Sequence, residues 1–240
     1  MQLQNKIILV VGGATGIGKA TATLCAKRGA QVVIADINET AGIETATATN
    51  SSFIKVDVTS ESNITALYNK IDSQYGRLDV LIQAAGLLKG AFTPIEELTY
   101  ETWKLVMDIN VKGSFLSVKH ATPLLKKSKR GVVLLLSSGA AQGGSSSYAY
   151  GASKGGVTSL GITLAGKLAP DNIRLNVLHP GNIRTPMKLS VIEADAQKRG
   201  ESMDKLVAES NLGEPEGVAR ILAWLASDDA DYLRGNVFTR

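Results

Sequence analysis

Tyr150 and Lys154 are the two residues whose types and spacing most directly indicate chemistry. Residues four apart on a helix share one face, so their side chains can meet. An ammonium beside a phenol favours the phenolate, and a tyrosine that normally titrates near pH ~10 could then act as an acid or base closer to neutrality. Taken alone, this spacing is more often a surface pair. Tyr148 has alanine four residues on, and we predict a loop side chain that lines a substrate pocket.

Three glycines, at positions 12, 16 and 18, lie between the first apolar run, KIILVV, and a helical pattern. Such glycines allow a tight turn and a close approach of the backbone to a pyrophosphate, which the free N–H groups of a helix N-terminus would bind. A plain turn is an equally good interpretation of the glycines by themselves.

Asp36 ends the second apolar run, QVVIAD. An acidic side chain at this place can accept hydrogen bonds from an adenosine ribose, although an aspartate that caps the next turn would have the same sequence. The carboxylate would repel a 2′-phosphate, and residues 12–17 contain no Arg or Lys to offset that repulsion. The sequence therefore favours NAD over NADP as the cofactor.

Short apolar runs alternate with helical patterns along the sequence. The strands are predicted at 6–11, 31–36, 51–58, 78–86, 131–138 and 173–181 and in the closing NVFTR, and the helices at 19–30, 60–76, 99–127, 147–168 and 215–229. This alternation predicts parallel strands with right-handed crossovers, and strands apolar on both faces predict helices on both sides. We therefore predict one α/β domain over residues 1–240, a Rossmann fold with a doubly wound parallel sheet. An irregular insertion at about 183–213 is predicted to form a lid, with one apolar face, over a substrate.

Composition and charge exclude several other classes of protein. The net charge of +4 invites a nucleic-acid interpretation, but the basic residues are scattered, and KKSKR at 126–130 is predicted to be a solvated helix end. The single cysteine, Cys25, provides no disulfide framework and no metal cluster. The first apolar run is too short for a signal sequence or a membrane span. We expect a soluble cytoplasmic protein that binds neither metal, membrane nor nucleic acid.

Taken together, the motifs form one ordered set whose spacing resembles the short-chain dehydrogenase/reductase family. The resemblance extends from Lys6 to about Gly235 and rests on the three glycines, Asp36, Asp57, AAG at 84–86, Asn110, Ser138, YGASK at 150–154 and PGNIRT at 180–185.

The resemblance implies a role for each residue of a proton-transfer site. Tyr150 would be the catalytic acid or base, and Lys154 would hold the nicotinamide ribose and lower the pKa of Tyr150. Ser138 would stabilise the substrate oxygen, and Asn110 would position a water in a proton relay. Ser137 remains an alternative to Ser138, because it lies at the commoner distance from the tyrosine in the family.

The resemblance also implies a cofactor site and a substrate pocket. In the cofactor site, Asp57 and Val58 would meet the adenine, and Ile183 and Thr185 would orient the carboxamide. The full implied cofactor set is Gly12, Thr15, Gly16, Ile17, Gly18, Asp36, Ile37, Asp57, Val58, Ala85, Gly86, Tyr150, Lys154, Pro180, Gly181, Ile183 and Thr185, and the implied substrate pocket is Ser138, Tyr148 and Met187.

The implied activity is the NAD(H)-dependent interconversion of a small secondary alcohol and a ketone, in a homotetramer or homodimer. Two other functions remain open at this point. One is a reductase of carrier-linked 3-oxoacyl groups in lipid metabolism, and the other is a non-catalytic sensor that binds NAD(H).

Three departures from the family pattern carry expectations of their own. Val11 stands where the family usually has threonine, and Gln83 and Ala84 stand where it has two asparagines, so we expect a differently braced cofactor loop. The sequence ends at Arg240, before the family's usual last residues, and we expect the consequence at the subunit interface. His120, His179, Trp103 and Trp224 are predicted to be packing or surface residues.

Overall fold

A seven-stranded parallel sheet forms the frame of the protein, whose computed structural model describes residues 2–239. The strands lie in the order β3-β2-β1-β4-β5-β6-β7, so the strand order reverses between β1 and β4, where open α/β sheets form a crevice. The strands are β1 (Ile7–Val11), β2 (Gln31–Asp36), β3 (Ser52–Lys55), β4 (Val80–Gln83), β5 (Gly131–Leu136), β6 (Ile173–His179) and β7 (Gly235–Phe238).

Helices cover both faces of this sheet. They are α1 (Gly16–Lys27), α2 (Glu39–Thr49), α3 (Glu61–Tyr75), α4 (Tyr100–Met107), α5 (Gly113–Lys126), α6 (Tyr148–Leu168), α7 (Pro186–Arg199), α8 (Met203–Glu209) and α9 (Pro215–Leu225). The predicted helix over 99–127 is one helical run in which a π-helical turn, Asp108–Lys112, joins α4 to α5.

Side chains alternate between two buried cores because successive residues of a strand point to opposite faces. Leu9 and Val11 of β1 pack with α3, α5 and α6, whereas Ile8 and Val10 pack with α1 and α9. The predicted doubly wound Rossmann fold is therefore confirmed.

Helix α2 is absent from the sequence-based prediction. The residues that it buries are Gly42, Thr45 and Ala46, which are too small to produce a stripe of large apolar side chains. The ring of Phe53 occupies the space beside Gly42, where a Cβ would lie 2.1 Å from the ring. Small residues here allow α2 to approach β3, and such a contact has no apolar periodicity.

The insertion at 183–213 is a pair of helices, so the prediction of an irregular segment was wrong. Its two ends are joined by a parallel bridge between Ile183 and Gly213, and Gly213 N–H donates to the Asn182 carbonyl at 2.8 Å. Helices α7 and α8 share a small core of their own, formed by Ile192, Ala196 and Leu206. The insertion therefore leaves and re-enters the fold at one place.

The basic cluster at 126–130 is balanced by acidic residues. Lys126 pairs with Asp171 at 2.8 Å, and Lys127 pairs with Asp72 at 2.7 Å. A positive stripe of the kind that binds nucleic acid is thus interrupted at the place where the sequence concentrates basic residues.

The two histidines lie in packing or surface contacts. The ring of His179 is buried and stacks on Phe238 of β7 with 4.3 Å between the ring centroids. His120 lies near the surface with its Nε2 2.9 Å from a carboxylate oxygen of Glu61.

Within residues 2–239, no helix is long and apolar enough to cross a membrane, and no group of three or more His, Cys, Asp or Glu side chains is placed to hold a metal ion. Cys25 is buried between α1 and the sheet, and burial raises the pKa of its thiol to about 12.

Two glycines of α6 allow a matched test of this packing. A methyl group at Gly161 would lie 2.2 Å from a methyl of Val177 in β6, whereas at Gly166 it would meet nothing within 4 Å. We expect Gly161→Ala to lower the free energy of unfolding by about 1–3 kcal/mol through overpacking. Gly166→Ala should raise it by up to about 1 kcal/mol through helix propensity. Urea denaturation of both variants measures the difference, and equal effects would contradict the placement of α6.

Candidate active site

The candidate site is a cavity of about 890 Å³ at the carboxyl ends of the central strands. It reaches from the glycine loop after β1, past Asp36 at the end of β2, to the first turns of α6 and the insertion. This is the crevice that a change of strand order creates in a doubly wound sheet.

The glycine loop is shaped by close contacts between backbone segments. Gly12 has φ +81, and a Cβ there would lie 2.3 Å from the Ala85 nitrogen. A Cβ on Gly18 would lie 1.9 Å from the Gly12 carbonyl oxygen. Only glycine fits at either position, and the first N–H groups of α1 are left facing the cavity without intrahelical acceptors.

Asp36 both braces the loop and lines the cavity. Its carboxylate accepts the N–H of Ala14 at 3.0 Å and the N–H of Asn38 at 3.0 Å. The two interpretations of this aspartate are thus compatible, since an ionised carboxylate has about four acceptor positions. Two of them remain for the hydroxyl groups of a ribose.

Ser138, rather than Ser137, faces the tyrosine. Ser138 follows β5 and lines the cavity, and its side chain lies near enough to the Tyr150 phenol to favour a lower pKa of that phenol. The Ser137 hydroxyl is buried against α6, where it donates to the Lys154 carbonyl at 2.9 Å and pairs with Thr158 at 2.8 Å. The geometry therefore assigns Ser138 to the site and Ser137 to the support of α6.

Tyr150 and Lys154 lie together at the inner end of the cavity. Ser147 caps α6 by accepting the Tyr150 N–H at 3.2 Å, which fixes the first turn of the helix. The Lys154 ammonium lies 5.6 Å from the centre of the Tyr150 ring and donates to the Leu136 carbonyl at 2.8 Å.

Burial controls the protonation of both side chains. It lowers the pKa of Lys154 to about 8, because a buried ammonium loses its hydration. It raises the pKa of Tyr150, and the hydrogen bond from Ser138 only partly opposes this rise. Lys154, whose ammonium donates to the Leu136 carbonyl, is not among the groups that shift the pKa of Tyr150, and the expectation that it lowers this pKa stays a prediction.

Asn110 clamps the loop that follows β4. Its side-chain oxygen accepts the N–H of Leu87 at 2.7 Å, and its amide nitrogen donates to the Leu87 carbonyl at 2.9 Å and to Ser153 at 2.8 Å. Asn110 lies in the π-helical turn, is fully buried and is not among the residues that line the cavity. The structure thus gives Asn110 a bracing contact, and its contact with a water stays a prediction.

Two of the three departures from the family pattern lie side by side in the sheet. Val11 and Gln83 are register partners in neighbouring strands. Both polar atoms of the Gln83 amide are buried without a hydrogen-bond partner within residues 2–239. Gln83 therefore does not brace the cofactor loop, which is held by the Asn110 clamp.

All of the predicted cofactor residues line the cavity, and so do Ser138 and Met187. Tyr148 does not. It is the first residue of α6, and 51% of it is exposed, so the prediction of a loop residue in the substrate pocket was wrong.

Sequence reasoning did not place several residues that line the cavity. Phe92 carried no sequence signal, because its position depends on the loop after β4. The residues of α7 did carry a sequence signal, because their spacing is that of one helical face. They are Lys188, Val191, Ile192, Asp195 and Arg199.

The buried Lys154 predicts a pH dependence of stability. An unfolded lysine titrates near 10.5, so between pH 8 and 10.5 the unfolded chain holds a proton that the folded protein has lost. The contribution of Lys154 to the free energy of unfolding therefore rises with pH over this window, by about 3 kcal/mol. We expect wild type to gain this much relative to Lys154→Met in urea denaturation. A difference independent of pH would contradict a buried, desolvated ammonium.

Comparisons with known proteins agree with this geometry. A family model described as enoyl-(acyl carrier protein) reductase matches residues 12–239. The chain is 34% identical to a 3-oxoacyl-(acyl-carrier-protein) reductase of Thermotoga maritima, over 99% of this chain and 96% of that protein. It is 32% identical to a cyclopentanol dehydrogenase of Comamonas sp., over 98% and 95%.

Among solved structures, levodione reductase superposes with a TM-score of 0.89 at 27% identity, covering 98% of this chain and 95% of that one. The ordered motifs, the parallel sheet and the matched relatives lead to the same conclusion: the chain belongs to the short-chain dehydrogenase/reductase family of oxidoreductases, whose members use nicotinamide cofactors.

Proposed function

We propose that the protein is an NAD(H)-dependent oxidoreductase that interconverts a secondary alcohol and a ketone, with Tyr150 as the acid or base. The observation that carries this proposal is the convergence of Ser138, Tyr150 and Lys154 in the same cavity as the glycine loop and Asp36. Similarity to a cyclopentanol dehydrogenase supports a cyclic secondary alcohol as the kind of substrate.

The proton transfer follows from the positions of two hydroxyl groups. The Ser138 hydroxyl and the Tyr150 phenol lie next to each other, so both can contact one substrate oxygen. Tyr150 donates a proton to that oxygen during reduction and removes it during oxidation, while Ser138 donates a hydrogen bond that stabilises the developing negative charge. The raised pKa of Tyr150 keeps the phenol protonated at neutral pH, as the reduction requires. A bound nicotinamide supplies or accepts the hydride.

Lys154 contributes a positive charge close to the ring of Tyr150. With a pKa of about 8, this lysine is mostly protonated at neutral pH although it is buried. Its ammonium has three donors, of which the Leu136 carbonyl occupies one. The remaining donors are available to the hydroxyl groups of a bound ribose.

The preference for NAD rests on Asp36. Its carboxylate lines the cavity at the end of β2 and has acceptor positions left for ribose hydroxyls. A 2′-phosphate at this place would face a negative charge, and the glycine loop supplies no cation to balance it.

A second candidate function is the reduction of carrier-linked 3-oxoacyl groups. It is favoured by the similarity to the Thermotoga reductase. Turnover of an acyl-carrier substrate, compared with cyclic ketones and with both nicotinamide cofactors, separates the two candidates. Binding of NADH without turnover of either substrate class would instead favour the non-catalytic sensor.

The homotetramer or homodimer stays a proposal. Several large apolar side chains are exposed on helices and on the last strand, as an interface between copies requires. They are Phe115 on α5, Ile162 on α6, Trp224 on α9 and Phe238 on β7.

Tyr150→Phe tests the proposed mechanism. Removal of the phenolic hydroxyl should lower kcat by at least about 100-fold, because it removes the group that is proposed to carry the proton. Ser138→Ala should lower kcat by about 100- to 1000-fold. Tyr148→Phe, which makes the same change outside the cavity, is the matched control and should keep normal turnover. Steady-state oxidation of cyclopentanol is the measurement, and normal turnover by Tyr150→Phe would rule the mechanism out.

Asp36→Asn tests the choice of cofactor. The amide keeps one acceptor oxygen, which can serve one of the two N–H groups that the carboxylate accepts, and it removes the negative charge that would repel a 2′-phosphate. We expect the ratio of kcat/KM for NAD to that for NADP to fall by about tenfold or more, which corresponds to about 1.4 kcal/mol. An unchanged ratio in a correctly folded variant would show that Asp36 does not select the cofactor.

A further inference from the structure

Helix α7 presents one face to the cavity. After Pro186 and Met187 in its first turn, the residues of this helix that line the cavity are Lys188, Val191, Ile192, Asp195 and Arg199, and the last four lie three, four, seven and eleven residues after Lys188. The face thus begins with a positive charge, continues with two apolar side chains and ends with one acid and one base.

The acid and the base at the end of this face neutralise each other. The Arg199 guanidinium binds the Asp195 carboxylate through two contacts, Nε to Oδ1 at 2.9 Å and a terminal nitrogen to Oδ2 at 2.9 Å. This bidentate geometry uses the planar fork of arginine and leaves little net charge at that end.

Lys188 has no such partner. Its ammonium makes no hydrogen bond within the described part of the chain, and no carboxylate there lies within 4.0 Å of it. Burial lowers the pKa of Lys188, and the more distant Asp195 opposes this shift. Lys188 is therefore a half-buried cation in the lining of the cavity that has no ion pair within residues 2–239.

The other charged side chains that line the cavity do not form an ion pair with Lys188. Asp36 and Asp57 hold backbone N–H groups near the glycine loop and β3, and Lys154 donates to the Leu136 carbonyl. Glu209 is on α8 and is exposed. Within residues 2–239 no negative group pairs with Lys188, which leaves its ammonium available to an anionic group of a bound molecule.

The surroundings of Lys188 are apolar. Val191, Ile192 and Leu206 line the cavity beside it, and Phe92 lines it from the loop after β4. Phe92 is held with φ +59, a conformation that is strained for an aromatic residue, while its N–H donates to the Ser146 carbonyl at 2.7 Å. Among the described residues, the cavity thus combines apolar side chains with a cation, Lys188, that has no ion pair, as suits a molecule that has an apolar body and one anionic group.

We propose that Lys188 is the anion-binding residue of this cavity and pairs with an oxyanion of a bound molecule. Two sources fit the place. One is a carboxylate on the substrate, in which case the proposed alcohol is a hydroxy acid, and this part rests on the proposed function. The other is the diphosphate of the dinucleotide, because α7 begins beside the glycine loop, with the Thr185 methyl 3.2 Å from where a Cβ of Gly16 would lie.

The test compares three variants. Lys188→Met removes the charge, Lys188→Arg keeps it, and Lys205→Met removes a charge from α8, where Lys205 is exposed and pairs with Glu201. Lys205→Met is the matched control and should behave as wild type in every measurement. Thermal unfolding shows that each variant is folded.

The first arm measures the substrate source. Cyclohexanecarboxylate and its neutral amide are titrated into the protein in the presence of NAD, with calorimetric detection. If the source is a substrate carboxylate, wild type prefers the carboxylate, Lys188→Met loses this preference by about 10- to 100-fold, and Lys188→Arg restores most of it.

The second arm measures the cofactor source. ADP-ribose, which contains the diphosphate but no nicotinamide, is titrated into the protein alone. If the diphosphate is the partner, Lys188→Met weakens its affinity by about tenfold or more and Lys188→Arg does not.

Unchanged carboxylate preference and unchanged ADP-ribose affinity in Lys188→Met would overturn the proposal. Neither arm depends on turnover. A wild-type protein that oxidises no secondary alcohol would therefore contradict the proposed function while both binding results remain readable.

Discussion

The close approach of three backbone segments is the constraint on which the rest of the site depends. Gly12 lies against Ala85 so tightly that a Cβ would be 2.3 Å from the Ala85 nitrogen, and Gly18 lies against the Gly12 carbonyl. Because no side chain separates these segments, the loops after β1 and β4 and the start of α1 meet at the point where the strand order reverses. The crevice, the free N–H groups of α1 and the route to Tyr150 all follow from this contact.

A second constraint connects these loops to helix α6. Asn110 holds Leu87 in the loop after β4 by two hydrogen bonds and reaches Ser153 on α6 by a third. Asn110 lies in the π-helical turn, where the regular α-helical pattern is interrupted, and its side chain is buried there. The loop after β4 and the helix that carries Tyr150 are thus connected through one amide.

The parts predictable from sequence are those fixed by local backbone requirements. Gly12, Gly18 and Asp36 serve the turn and the loop directly, and Tyr150 and Lys154 share a helical face, so their types and spacing indicate the cavity that they line. Strands β1, β5 and β6 were predictable because they are buried on both faces and therefore apolar throughout.

The remainder depends on contacts between distant segments. Helix α2 escaped prediction because it packs through Gly42 against the ring of Phe53. The direction of the Tyr150 pKa shift depends on burial, which the spacing of residues in the sequence does not reveal. Whether Tyr148 or Tyr150 faces the cavity is decided by where α6 begins, a difference of two residues.

The bridge between Ile183 and Gly213 has a consequence for how this protein can change. Since the insertion enters and leaves the fold at neighbouring positions, its length and composition can vary without shifting the sheet. Its own small core means that it can be exchanged as a unit. The bridge thus closes the insertion on itself, and changes confined to α7 and α8 can alter the lining of the cavity.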